Sequence, residues 1–228
     1  MLNKQGAGQL EEVYSQALRK LNVAEFEAAA EETGALVLDT RDAQVFNKAF
    51  IPNSVNIGVN GQFAVWVGTL ITDLTQPILL VCDAGKEEEC VTRLARVGYD
   101  NTIGYLDGGI DAWMAAGKQV DTITSITADE FAARYNNDMN VLDVRRPGEC
   151  ETGHVANAEN KPLDFINDWT SDTNRSKTYY IHCAGGYRSM VAASILKARG
   201  FEDIIEVAGG YGAIAKTNVA KDNSVTAK

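Results

Sequence analysis

A series of short motifs occurs twice in this chain, roughly one hundred residues apart, which makes the chain a pair of like folding units. Asn22-Val-Ala-Glu25-Phe26 returns as Thr127-Ala-Asp-Glu130-Phe131. In each, a capping side chain precedes a Glu by three residues and an Ala-rich amphipathic run follows, the pattern of a capping box at a helix start. Ala35-Leu-Val-Leu-Asp39-Thr-Arg41 returns as Met139-Asn-Val-Leu-Asp143-Val-Arg145, short apolar runs that read as buried strands. Ile78-Leu-Leu-Val-Cys82 matches Tyr179-Tyr-Ile-His-Cys183, and in both a Cys-x-x-Gly loop leads into a helical pattern. Each copy closes with a helix-ending glycine, Gly98 or Gly200, one more strand, and a Gly-Gly pair at 108–109 or 209–210.

Strands alternating with helices predict a mainly parallel sheet in each copy, flanked by helices on both faces, with ligands at the carboxyl ends of the strands. Cys82 and Cys183 fall at such ends. The expected organisation is a lead-in segment over 1–20 with a helix from Leu10 to Leu21, domains over 21–119 and 122–217, and a frayed polar tail over 218–228. A length of 228 residues accommodates two such units, since one domain takes roughly 100–150.

A net charge of -10 sets the chain against nucleic acid and anionic lipid, so neither is an expected partner. No apolar run approaches the roughly 20 residues of a spanning helix, and polar Asn3-Lys4-Gln5 stands near the start in place of a signal-peptide apolar region, which points to a cytoplasmic protein. The four cysteines, Cys82, Cys90, Cys150 and Cys183, show no paired Cys-x-x-Cys spacing. With only two histidines, His154 and His182, neither a disulfide framework nor a metal centre is expected. Thiol chemistry or inert buried thiols are left.

Cys183-Ala184-Gly185-Gly186-Tyr187-Arg188-Ser189 is the segment richest in chemistry. A glycine-bearing loop can turn backbone N–H groups inward, the following helix presents its positive end, and Arg188 adds a cation. Such surroundings can lower a cysteine pKa from about 8.5 to roughly 3.5–7.5, and the thiolate is the nucleophile. A Cys183 persulfide would use the same donors, with no cofactor.

Together these motifs resemble the rhodanese family of sulfurtransferases. The second copy carries the family's Asp-x-Arg strand (Asp143, Arg145), its Gly-His turn (Gly153, His154), its Cys-x-x-Gly-x-Arg-Ser loop (Cys183–Ser189) and its late Gly-Gly. The resemblance implies a sulfur-carrying Cys183, a sulfur pocket formed by Ala184 to Arg188 in a persulfide-binding loop that runs to Ser189, and a structural His154. A small sulfur donor and a thiol acceptor are the partners it implies. The loop runs six residues from Cys183 to Arg188, as in rhodaneses, whereas related phosphatases and arsenate reductases carry one more. Asp143 and Arg145 read as an ion pair pinning the strand edge, and His182 as pointing away from Cys183 by strand alternation.

The first copy resembles the family too, but its loop is chemically inverted. Glu87 stands at the arginine position, and Asp83, Glu88 and Glu89 surround Cys82, which disfavours a thiolate. This half reads as inactive, with Cys82 kept as a possible second thiol beside Lys86. Cys90 reads as core, and Cys150, in a charged turn, as inert, with surface exposure and a resolving role as the alternative. Arg188 is the one strong handle in the loop for an anionic donor such as thiosulfate. Leu2-Asn3-Lys4-Gln5-Gly6 resembles the joint after a metallo-β-lactamase-like domain in persulfide-processing fusions, which implies a persulfide-metabolising parent or partner. A non-catalytic scaffold built from two rhodanese folds is the rival reading.

Overall fold

The computed structural model describes residues 4–223, with side chains from residue 11 onward. Leu2 and Asn3 of the N-terminal joint and residues 224–228 of the expected tail lie outside the described residues. The chain divides between Asp121 and Thr122 into two units.

In the first unit, strands β1 (Lys20–Leu21), β2 (Leu36–Asp39), β3 (Val55–Asn56), β4 (Ile78–Val81) and β5 (Thr102–Leu106) form one sheet in the order β1-β5-β4-β2-β3. Every pairing in it is parallel. The connecting helices include α2 (Val23–Thr33), α3 (Ala43–Phe46), α4 (Phe63–Leu70), α5 (Glu87–Ala95) and α6 (Gly109–Ala115). Helix α1 (Lys4–Ala17) precedes them and stops before β1, where a helix to Leu21 was expected. Leu21 instead pairs with Leu106 and is fully buried, so tertiary pairing overrides the helical pattern at its end.

The second unit repeats the plan. Strands β6 (Thr124–Ile126), β7 (Asn140–Asp143), β9 (Glu159–Asn160), β10 (Tyr179–His182) and β11 (Ile204–Val207) form a parallel sheet in the order β6-β11-β10-β7-β9. Its helices are α7 (Ala128–Arg134), α8 (Pro147–Cys150), α9 (Ile166–Trp169), α10 (Tyr187–Ala198) and α11 (Gly210–Ile214). Both capping boxes form. Asn22 Oδ1 accepts from the Glu25 N–H at 3.0 Å, and Thr127 Oγ1 accepts from the Glu130 N–H at 3.1 Å, with each Glu reaching back to its cap. Such caps each stabilise a helix start by about 1 kcal/mol.

The strands of the second unit bury both faces. Val141 and Val207 pack with Phe131 of α7 and Ile214 of α11, while alternation turns Leu142, Ile181 and Glu206 to the opposite side, toward α10. From Ser189 to Leu196 every residue of α10 is buried. Residues 218–223 correct the expected frayed tail. Strand β12 (Lys221–Asp222) pairs antiparallel with β8 (His154–Val155), and Val219 joins the core, so an apolar anchor and a ladder hold a segment whose composition is polar.

Candidate active site

Strand β10 delivers Cys183 to the carboxyl edge of the second sheet, and α10 starts four residues later. Gly186 makes the turn possible. It sits at φ +105°, where a side chain is strained, and its N–H donates to Cys183 Sγ at 3.1 Å. The thiol lies 3.5 Å from Ser189 Oγ, to which it donates. Ala184 and Gly185 are exposed, whereas Cys183, Gly186 and Ser189 are buried.

The loop is held from beneath by the start of α11. The Tyr211 N–H donates to the Cys183 carbonyl at 2.7 Å and the Gly212 N–H to the Ala184 carbonyl at 3.0 Å. Tyr211 is itself packed against two side chains: the Arg145 guanidinium lies 4.1 Å over its ring, and His182 stacks with it at 6.2 Å between centroids. Arg145 grips Asp143 through Nε at 2.9 Å and Nη2 at 2.6 Å, and its Nη2 also donates to the Gly153 carbonyl. Arg41 and Asp39 make the same pair in the first unit. Burial pushes the Asp143 carboxyl up, but the hydrogen bonds and charge of Arg145 outweigh it and hold the group below its ordinary value.

His182 directs its ring at Asp143, with Nε2 3.8 Å from Oδ2, while Nδ1 donates to the Cys183 carbonyl at 3.2 Å. It is fully buried, and burial lowers its pKa despite the opposing pull of Asp143. The native protein therefore refuses a proton that the unfolded chain accepts, so stability falls as pH drops below about 6.5, by up to roughly 1.4 kcal/mol per unit. Urea unfolding at pH 7.5 and 5.5 is expected to show a loss in wild type that His182→Gln reduces; equal losses would remove His182 as the cause. His154 stands apart from the sulfur, its Nδ1 against the Cys150 carbonyl at 3.0 Å, in the ladder with β12.

One expectation fails, and one alternative is closed. Arg188 is not a free handle for an anion: Nη1 and Nη2 each donate to Glu149 on α8 at 2.7 Å, a two-pronged pair that also holds the Glu149 carboxyl below its ordinary value. Cys150 is buried rather than exposed, because α8 folds its short turn inward, and burial pushes the thiol up to about 12. That excludes it as an accessible resolving thiol.

Glu206 escapes a reading of the sequence because a lone acid in the apolar run Ile204–Val207 looks like an exposed strand position. It is fully buried, accepting from Ser189 Oγ at 2.9 Å and Ser125 Oγ at 2.5 Å. The available signal was its place one residue before the strand end, where the first copy has Tyr105.

In the first unit Cys82 occupies the matching strand end but not the matching surroundings. Its thiol is hydrogen-bonded to Cys90, and this bond with burial drives its pKa far up. Lys86 is drawn to Glu89 at 2.8 Å, and Cys90 itself donates to Thr40 Oγ1 at 3.3 Å.

Among the described residues no helix is long and apolar enough to cross a membrane. Comparison with known proteins finds the Rhodanese-like domain family model twice, over residues 22–116 and 127–217. The uncharacterized protein YqhL of Bacillus subtilis is 33% identical over 87 residues, 38% of this chain and 68% of that one. Thiosulfate sulfurtransferase GlpE of Pseudomonas savastanoi pv. phaseolicola is 33% identical over 88 residues, 38% of this chain and 79% of that one. The putative sulfur carrier protein YrkF of Bacillus subtilis is 30% identical over 95 residues, 41% of this chain, and the match spans 51% of its length. A rhodanese-related protein of Thermoplasma volcanium of known structure is 30% identical, with 44% of this chain and 99% of that one aligned at a TM-score of 0.41. Two matched domains that together span most of the sequence place this chain in the rhodanese family.

Proposed function

We propose that the second domain is a sulfurtransferase in which Cys183 takes a sulfane sulfur from a small donor, holds it as a persulfide and passes it to a thiol or cyanide. One observation carries the reading: Cys183 Sγ accepts the Gly186 N–H at the mouth of a six-residue loop opening a 12-residue helix. Such a seat stabilises a sulfur anion, on the thiolate or on the outer sulfur of a persulfide. Two relatives named as a thiosulfate sulfurtransferase and a putative sulfur carrier support the same chemistry. The first domain has no part in this step, since Cys82 is tied to Cys90 in an acidic loop. Both the cytoplasmic setting and a persulfide-metabolising parent or partner belong to this proposal.

In an assay with thiosulfate or glutathione persulfide as donor and cyanide as acceptor, wild type is expected to form thiocyanate. Cys183→Ala should lose at least about a hundredfold in rate while Cys82→Ala retains it. Thiocyanate formation by Cys183→Ala at the wild-type rate would defeat the proposal and favour the scaffold reading.

Glu149 bears on donor choice. Its carboxylate cancels the Arg188 charge beside the loop, so a dianionic donor gains little there. Glu149→Gln is expected to raise kcat/KM for thiosulfate about fivefold, corresponding to about 1 kcal/mol of relieved repulsion, with a smaller change for an alkyl persulfide. An equal change for both donors would show that Arg188 does not sense donor charge.

A further inference from the structure

A carboxylate buried as completely as Glu206 is costly unless its environment gives it a purpose or a full set of partners. Its two oxygens are held by different serines: Ser189 on α10 at 2.9 Å and Ser125 on β6 at 2.5 Å. Ser189 is also the residue against the nucleophile, 3.5 Å from Cys183 Sγ. The donors run in one direction, with the thiol S–H toward Ser189 Oγ and the Ser189 O–H toward Glu206 Oε1. The first copy has none of this chain: Lys20, Glu88 and Tyr105 stand where Ser125, Ser189 and Glu206 stand.

We propose that Glu206 is the proton store for Cys183, acting through Ser189, so that the thiolate forms inside the closed loop without waiting for solvent. The inference rests on the reading of Cys183 as the sulfur acceptor. The Cys183 S–H bond breaks, its proton passes to Ser189 Oγ, and the Ser189 proton passes to Glu206 Oε1. The products are a thiolate and a carboxylic acid, with no net charge brought into the buried site. The Gly186 N–H, already at 3.1 Å, receives the thiolate. The thiolate attacks the outer sulfur of a donor persulfide R–S–SH; the donor S–S bond breaks and its electron pair leaves on R–S⁻. When an acceptor thiolate later takes the outer sulfur, Cys183 departs as thiolate and regains its proton from Glu206 by the reverse path.

The other titratable groups around the site are paired among themselves. Arg188 on α10 is bound to Glu149 on α8, and Asp143 at the end of β7 is bound to Arg145 and faces His182 on β10. Tyr211 on α11 packs against both Arg145 and His182. The Ser189 hydroxyl bridges the thiol to the Glu206 carboxylate.

The test is the rate of Cys183 alkylation by iodoacetamide from pH 5 to 10, followed on the Cys183 peptide by mass spectrometry, with no sulfur donor present. A thiol and a carboxylate sharing one proton keep a fixed thiolate fraction over the range in which the pair holds that proton. Wild type is therefore expected to level into a plateau on the acid side. Glu206→Gln fills the same volume and still accepts from Ser189, but cannot take the proton. Its rate should fall about tenfold per pH unit with no plateau, reaching roughly a tenth of wild type or less at pH 6. Ser189→Ala, which keeps the carboxylate and cuts the bridge, is expected to lower the plateau and serves if Glu206→Gln does not fold. A folded Glu206→Gln with the wild-type plateau, or Ser189→Ala with the plateau undiminished, would overturn the proposal. Alkylation reads the thiol alone, so a relay that survives in a protein forming no persulfide would separate this inference from the sulfurtransferase reading.

Discussion

Gly210→Ala is expected to cost about 2–5 kcal/mol of stability in the second domain and to abolish reaction at Cys183, whereas Gly109→Ala costs roughly 1–2 kcal/mol in the first. Both glycines have φ +56°, so the backbone strain is common to the two. What differs is the space. A Cβ on Gly210 would lie 2.4 Å from the Cys183 carbonyl oxygen and 2.7 Å from the Ala184 carbonyl carbon, both backbone atoms that cannot rotate away. A Cβ on Gly109 would meet only the Cys82 carbonyl, at 3.3 Å. The start of α11 is pressed against the sulfur loop because Tyr211 and Gly212 hydrogen-bond its carbonyls. Relieving the clash therefore means pulling away the element that fixes Cys183. Urea unfolding of each variant, with Cys183 alkylation as the site readout, checks both halves of the prediction; equal effects at 109 and 210 would refute the packing argument.

Arg145→Ala is expected to destabilise the second domain by about 3–5 kcal/mol, because it leaves the Asp143 carboxylate buried without its cation. Asp143 has a side chain 1% exposed, and Arg145 has one 5% exposed, so water cannot replace the lost partner. The same change also removes the cation over Tyr211 and the donor to the Gly153 carbonyl, coupling stability to the geometry of the loop. The double variant Asp143→Asn with Arg145→Met removes both charges and should recover a substantial part of the loss, since the penalty lies mainly in the orphaned charge. A single-variant loss under about 1 kcal/mol would mean that the pair is as weak as one on the surface.

Much of this architecture can be read from local sequence. The capping boxes at Asn22 and Thr127 depend only on residues three apart, and both form as their spacing dictates. The Asp-x-Arg pairs are equally local, and Arg41 and Arg145 make matching grips on Asp39 and Asp143. The Cys183 loop is one continuous segment whose glycine and helix start can be placed without tertiary information. What stays hidden depends on residues brought together from afar. The partner of Arg188 is Glu149, 39 residues away, and of Ser189 is Glu206, 17 residues away. Cys150 looks exposed among charged neighbours because α8 is too short for a periodic pattern to reveal its inward face. Lys221 and Asp222 carry no strand propensity, and their ladder with β8 follows from the burial of Val219 beside them.

The central claim is that Cys183, and not Cys82, carries the sulfur. Intact mass after incubation with a persulfide donor tests it directly, for wild type, Cys183→Ala and Cys82→Ala. One added sulfur, about 32 Da, is expected on wild type and Cys82→Ala, absent from Cys183→Ala and removed by cyanide. An added sulfur that persists in Cys183→Ala, or none on wild type from thiosulfate or glutathione persulfide, would contradict the account.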